Sequence, residues 1–324
     1  MISFTLTLRL NRNKNEVQIA VIYNPMAGSF RRRNRLRQLQ SCLREYGHVI
    51  SLLATTAPGD ATKLAKSAVA DGAEVVVAVG GDGTINEVIQ GLAGSETPLA
   101  VYPAGTTNVW CSQIGMPTDP RQAAQVIHTG PRRTIDLGLA GDRYFLLMAG
   151  IGIDAEVTRS VNLELKRRFG MLAYALTALR LGFAFPRTLA HIVLEPGSPQ
   201  ERSFHSQFSL IVVTNAERYA IVKLAPEAQI DDGQLELLVF QSTTPFERLV
   251  GVISVLFNLG QNVAQVKRYR VRRAHIKTNP SVAVQLDGDA AGMVGSSPFE
   301  ISCIPAALHV IVPTNAPTHL FSQQ

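Results

Sequence analysis

Residues 74–92 read EVVVAV (74–79), GGDGT (80–84) and INEVIQGL (85–92). The run after Glu74 is apolar at every position, as in a strand covered on both faces, which belongs to parallel sheets. Ile85, Val88, Ile89 and Leu92 fall on helical spacing, so a helix is expected over Thr84 to Leu92. The pentapeptide between them is a strand-to-helix turn whose amides lie at the positive end of a helix dipole. Glycine lets the backbone approach a phosphate closely. Asp82, expected to face solvent there, suits a magnesium ion bridging phosphate oxygens, directly or through water. Asp-Gly also makes ordinary turns; the strand-turn-helix setting is what favours the phosphate loop.

The same rhythm extends on both sides. Val17 to Tyr23, His48 to Ala54 and Leu99 to Tyr102 read as further short strands, and Arg32 to Tyr46 and Asp60 to Asp71 as helices. Each strand ends in a Gly- or Thr-bearing loop: Asn24 to Ser29, Thr55 to Asp60, Gly80 to Thr84 and Pro103 to Asn108. In a doubly wound parallel sheet such loops converge on one edge, where a nucleotide binds.

After about Thr134 the pattern changes. Tyr144 to Met148, Thr188 to Glu195, Phe204 to Thr214, Leu235 to Phe240, Tyr269 to Lys277 and Val282 to Leu286 read as strands with few helices between them. That predicts an antiparallel β-sandwich. Two helices are expected within it, Leu163 to Leu181 and Pro245 to Val266. The division is an α/β nucleotide domain over 1–133, a β-sandwich domain over 134–314 and a frayed tail over 315–324.

With 324 residues, 46% of them hydrophobic, the chain can bury two cores. A net charge of +6 and a pI near 9.4 favour anionic partners. Nucleic acid is disfavoured, because aromatics are only 6% and are not interleaved with the basic runs. Those runs are Arg31-Arg32-Arg33 with Arg35 and Arg37, and Lys267 to Arg273; most of their charges suit solvated faces, and some suit an anionic lipid surface. Neither a signal peptide nor a membrane-spanning run of ~20 apolar residues is present. Cys42, Cys111 and Cys303 match no metal spacing and read as reduced thiols, so the expected location is cytoplasmic with peripheral membrane association. Oligomeric state is not legible, and a homo-oligomer is compatible with the sequence.

An ordered series of motifs resembles the diacylglycerol kinase catalytic family, which includes sphingosine, ceramide and soluble bacterial lipid kinases. It comprises NPMAG (24–28), TTAPGDA (55–61), GGDGTINEV (80–88), PAGTTN (103–108), IDLG (135–138), AGIGIDAEV (149–157), PEAQIDDGQLEL (226–237) and LDGD (286–289). The resemblance implies an ATP-dependent lipid kinase acting in a cleft between two domains, on diacylglycerol or a related lipid at the membrane surface. Asn24, Pro25, Ala27, Gly28, Thr55, Gly80, Gly81, Asp82, Gly83, Thr84, Asn86, Gly105 and Thr106 would surround ATP. Asp82 and Asp136 would organise catalytic Mg2+ through water. Asp232, with backbone oxygens of Gln229 and Gln234, would hold a structural Mg2+. Asp287 or Asp289 would be the general base.

Two positions depart from the family pattern. Val109 stands where many members carry Asp in the water-magnesium network. Asp289 stands where many bacterial relatives carry the longer Glu, which makes Asp287 the preferred base. Two other readings compete: a catalytically weakened nucleotide-binding regulator at the membrane, favoured by Val109, and an NAD kinase-like small-molecule kinase, disfavoured by the NPMAG loop and LDGD.

Overall fold

A computed structural model describes residues 17–25, 30–160, 185–219, 222–242, 244, 247 and 266–322, with the side chains of 30–33, 158–160, 219 and 222 outside that description. The two expected helices of the second half fall almost wholly outside these residues, as do Ala27 and Gly28. The chain divides into two units, one ending at Arg133 and regaining Leu308–Ala316, the other formed by Thr134–Ala307 and Pro317–Gln324.

The first unit alternates β1 (Gln18–Tyr23), α1 (Phe30–Glu45), β2 (Val49–Ala54), α2 (Asp60–Ala70), β3 (Val75–Gly80), α3 (Asp82–Leu92) and β4 (Leu99–Pro103), followed by α4 (Val109–Gln113) and α5 (Pro120–Thr129). The strands pair in parallel in the order β2-β1-β3-β4. Every residue of β3 is buried, as its apolar run requires, whereas the edge strand β2 exposes Val49 and Leu52. Helix α3 starts at Asp82, two residues before the expected start, so the acid lies inside its first turn. Neither α4 nor α5 was anticipated. Yet α5 carries a local signal: Asp119 accepts from the amides of Arg121 and Gln122 at 3.1 and 3.0 Å, with Pro120 in the first turn.

The second unit is the expected antiparallel sandwich. Its strands are β5 (Arg132–Ala140), β6 (Arg143–Phe145), β7 (Met148–Gly152), β8 (Thr188–Leu194), β9 (Arg202–Phe208), β10 (Leu210–Thr214), β11 (Arg218–Tyr219), β12 (Val222–Lys223), β13 (Leu235–Phe240), β14 (Val266–Val271), β15 (Arg273–Asn279), β16 (Val282–Leu286), β17 (Asp289–Val294) and β18 (Phe299–Ile311). Helix α6 (Ile153–Ser160) follows β7 directly. One sheet runs β14-β13-β10-β7-β16-β17; the other contains β18-β15-β8-β9 with β5 and β6. One apolar cluster joins both, including Ile151, Ile211 and Val284 from the first and Ile192, Ile276 and Ile301 from the second. Strand β18 ends in the first unit, where Val310 pairs in parallel with Leu99.

Two expected strands are each a pair. Phe204 to Thr214 breaks at Ser209 into β9 and β10, and Tyr269 to Lys277 breaks at Arg272 into β14 and β15. In both cases the halves lie in opposite sheets. Tyr144 to Met148 likewise divides between β6 and β7. The tail, expected to fray, is anchored instead. Leu320 is fully buried, Ile230 donates to its carbonyl at 2.8 Å, Ser322 donates to Asp231, and His319 meets the buried Glu217 at 3.1 Å. Buried apolar surface and satisfied main-chain groups hold these residues, and both are invisible to terminal position alone.

Candidate active site

Parallel pairing brings the strand ends level, with Tyr23 beside both Ala54 and Val79, and Gly80 beside Pro103. The loops that follow therefore share one edge of the first unit's sheet. Asn24, Pro25, Gly83 and Thr106 are exposed there, while Thr55 and Asn86 are buried. Thr55 donates its amide to the Tyr23 carbonyl at 2.9 Å, tying two loops together. The TTAPGD loop is set by Asp60, whose carboxylate accepts from the Thr56 hydroxyl at 2.6 Å and from the amides of Thr56 and Ala57. The Thr56 hydroxyl, then these amides, hold the Asp60 carboxyl below its ordinary range.

The GGDGT and PAGTTN loops touch through glycine. A Cβ on Gly105 would collide with the Gly81 backbone, and a Cβ on Gly81 would lie 3.2 Å from the Gly105 Cα. Asn108, to which sequence reasoning gave no separate role, fixes this contact. It adopts a left-handed conformation (φ 50°), accepts from the Gly105 amide at 2.8 Å and donates to the Gly105 carbonyl at 3.1 Å. Its signal was available, because Asn tolerates this region and bonds its own backbone neighbours.

Asp82 is not the solvent-facing side chain expected. Its Oδ2 accepts from the Val109 amide at 3.1 Å and its Oδ1 from the Trp110 amide at 3.3 Å, so it caps α4 while opening α3. The family-divergent Val109 and its neighbour Trp110 are buried at 7% and 1% exposure, so this position now packs inward. Burial pushes the Asp82 carboxyl up, and the amides of Val109 and Trp110 pull it back. Among the described residues no cationic side chain pairs with it. A partly buried carboxylate with amide partners and no countercharge suits an external cation. Magnesium keeps several waters and phosphate oxygens as ligands, so one carboxylate can hold it. Cys111 is no rival nucleophile: burial, then the Asp82 charge, push its thiol up to about 12.

The LDGD segment is a two-residue hairpin. Leu286 pairs with Asp289, and Asp287 and Gly288 both have positive φ (50° and 89°), the type I′ geometry that Asp-Gly favours. The Asp287 carboxylate accepts from three consecutive amides, those of Leu146, Leu147 and Met148, at 2.8, 2.9 and 2.8 Å. Those bonds occupy both of its oxygens in holding the chain before β7, which reverses the preference for Asp287 as the base. Asp289, exposed at the start of the edge strand β17, has the accessible carboxylate.

Asp136 lies in the second unit and is 2% exposed. Its oxygens accept from the amides of Gly233 at 2.6 Å and Ala306 at 2.8 Å, so it fastens the IDDGQ turn. Burial raises its pKa, and the charges of Asp232 and Asp231 raise it further against the pull of the two amides. Asp232 does not fit a magnesium ligand. Its Oδ2 pairs with the Arg270 guanidinium, its Oδ1 accepts from the Gln234 amide at 3.0 Å, and Arg270 also reaches Glu236 at 3.3 Å. Donor hydrogens and a fixed positive charge stand where a metal would need oxygen ligands, and Gln234 presents an amide N–H to the carboxylate. Gln229 uses its side chain to bond the Phe321 carbonyl.

Comparison with known proteins agrees with this architecture. Residues 18–140 match the family model described as diacylglycerol kinase catalytic domain, and residues 148–312 match the YegS C-terminal NAD kinase beta sandwich-like domain. The chain is 31% identical over 297 residues to the diacylglycerol kinase of Bacillus subtilis (strain 168), covering 90% of this chain and 95% of that protein. It is also 31% identical over 282 residues to a Chromohalobacter salexigens protein named "Probable lipid kinase YegS-like", covering 86% and 88%. A crystal structure of a diacylglycerol kinase from Bacillus anthracis str. Sterne shares the fold, with a TM-score of 0.74 at 23% identity over 94% of this chain and 99% of that one. The chain belongs to the diacylglycerol kinase catalytic-domain family, a family of lipid kinases.

Proposed function

We propose that the protein transfers the γ-phosphoryl group of ATP to a hydroxyl of diacylglycerol or a related lipid. The observation that carries this reading is the Asp82 carboxylate, partly buried beside the joined Gly81 and Gly105 loops and lacking a cationic partner among the described residues. Glycine amides and exposed Asn24 and Thr106 would bind the nucleotide phosphates, and Asp82 would hold magnesium. Bound there, the ion would supply charge neutralisation at the phosphate oxygens.

Asp289 accepts the proton of the lipid hydroxyl as its oxygen bonds to the γ-phosphorus and the bond to the ADP oxygen breaks. Asp136, occupied by two amides, keeps the IDDGQ turn in place rather than touching the reacting atoms. Among the described residues no helix is long and apolar enough to cross a membrane. The lipid substrate itself, carried in a bilayer, is what places the encounter at the membrane surface in this reading. Much of the second basic run is already engaged, Arg268 with the Leu224 carbonyl, Arg270 with Asp232 and Glu236, and Arg273 with Glu300, which leaves exposed Lys267 and Arg272 for anionic lipid.

Asp82→Asn tests the reading. It removes the charge that holds the ion, keeps one oxygen for α4 and turns an NH2 toward the other amide, so some stability is lost. Turnover, assayed well below the variant's Tm, should fall by at least ~10²-fold. Near-normal turnover would remove this loop from catalysis.

A further inference from the structure

The acid of the motif AGIGIDAEV, Asp154, is a partly buried titratable group. Gly152, with φ 105°, turns β7 into α6, and Asp154 lies in the first turn of that helix. The carboxyl points back over β7 toward Gly150, which pairs across the sheet with Gln285 of β16. A Cβ on Gly150 would overlap the Asp154 carboxyl and would lie 2.6 Å from Gln285 Nε2. Glycine thus leaves the space in which acid and amide meet.

Gln285 is 1% exposed and bonds at both ends. Its Nε2 donates to Asp154 Oδ2 at 2.7 Å, and its Oε1 accepts from the Gly288 amide at 2.6 Å. The orientation is forced: Gly288 offers only a hydrogen, so the oxygen must face it and the NH2 must face Asp154. Strand β16 is irregular here, its register with β17 shifting between Ala283 and Gln285. A partly buried chain of two bonds, centred on the buried Gln285, therefore runs from the start of α6 to the hairpin turn, one residue from Asp289.

We propose that Asp154 and Gln285 are positioning residues for phosphoryl transfer: they fix the Asp287-Gly288 turn and so set the direction in which Asp289 presents its carboxylate. The inference rests on the assignment of Asp289 as the general base. Asp287 restrains the turn from the side of 146–148, and Gln285 restrains it from within the sheet. A turn held at two points cannot rock about one, and small displacements at a reacting centre cost up to ~10²-fold in rate. Burial pushes the Asp154 carboxyl up to about 6, and either protonation state keeps an oxygen to accept from Gln285.

The test uses the full chain with Asp154→Ala, Asp154→Asn, Gln285→Ala and Gln285→Met, assayed well below each variant's Tm so that all are folded. Methionine fills the glutamine's space without its bonds and serves if the alanine variant does not fold. Expected are a kcat lower by about 10- to 100-fold for Asp154→Ala and both Gln285 variants, with KM for ATP within about twofold. Asp154→Asn keeps the acceptor oxygen and should recover to within about threefold of wild type. Hydrogen–deuterium exchange of the 286–291 segment should be faster in Asp154→Ala and Gln285→Met, and restored in Asp154→Asn. A kcat within twofold of wild type in Asp154→Ala and Gln285→Met overturns the proposal, as does an Asp154→Asn variant as impaired as Asp154→Ala. Failure of the wild-type protein to phosphorylate any lipid defeats the lipid kinase reading itself; unchanged exchange in the variants then overturns the tether separately.

Discussion

Asp287→Asn and Asp289→Asn should fail in opposite ways. Asparagine at 287 keeps the left-handed backbone tolerable and retains one oxygen. Its NH2 group, however, must face at least one of the amides of Leu146, Leu147 and Met148, which now bond carboxylate at 2.8–2.9 Å. All three residues are at most 9% exposed, so an orphaned amide is not rescued by bulk water. Losing one buried acceptor costs about 1–3 kcal/mol, and the remaining bonds lose their charge assistance, so about 2–3 kcal/mol is expected in total. In a domain of this size that lowers Tm by about 4–10 °C. Asp289 is exposed at a strand edge, and its substitution should change stability by no more than about 0.5 kcal/mol. Turnover should instead fall by at least ~10²-fold, with KM for ATP unchanged. The assay is differential scanning calorimetry beside steady-state lipid phosphorylation at a temperature where both variants are folded. A stable Asp287→Asn variant that has lost ~10²-fold in kcat, beside a near-normal Asp289→Asn, would refute the assignment.

Gly105→Ala should weaken ATP binding by at least ~10-fold without unfolding the second unit, because its Cβ meets the Gly81 backbone and the two phosphate loops must part; isothermal titration with ATP checks this. Asp232→Ala should lower Tm equally in magnesium and in EDTA, since the cation on that carboxylate is Arg270; a larger drop in magnesium would restore the metal site. Asp154→Asn should be more stable than wild type at pH 7.5, with the gain vanishing near pH 4. Burial raises the folded pKa from 3.8 to about 6, so the native state holds the proton more tightly and loses stability as pH rises through that window. The shift corresponds to at most about 3 kcal/mol, and thermal melts from pH 4 to 8 measure it.

Much of the fold was legible because its cause is local. The five apolar residues after Glu74 could only be a strand covered on both faces, and the Gly-Gly-Asp-Gly turn had to precede a helix. The sandwich strands were harder, because a chain crossing between sheets at Ser209 or Arg272 keeps its alternating pattern on both sides of the break. Nothing in the local sequence marks such a crossing. At the site, the loops were visible from their glycines, but the jobs of the acids were not. Asp82, Asp136 and Asp287 each bond amides 27, 97 or more, and about 140 residues away, so which acid is structural and which is accessible depends on contacts no motif encodes. Arg270 on Asp232 is the same lesson: the family resemblance implies a cation site at Asp232, and the Arg270 guanidinium fills it.

Lipid phosphorylation is measured by incubating the purified protein with γ-labelled ATP, magnesium and mixed micelles, each containing one lipid: diacylglycerol, monoacylglycerol, sphingosine, ceramide, phosphatidylglycerol or undecaprenol. Label is expected in one lipid product, diacylglycerol or a close relative, with its loss by at least ~10²-fold in both Asp82→Asn and Asp289→Asn. Label released only as inorganic phosphate, or a lipid product undiminished in those two variants, would contradict this expectation.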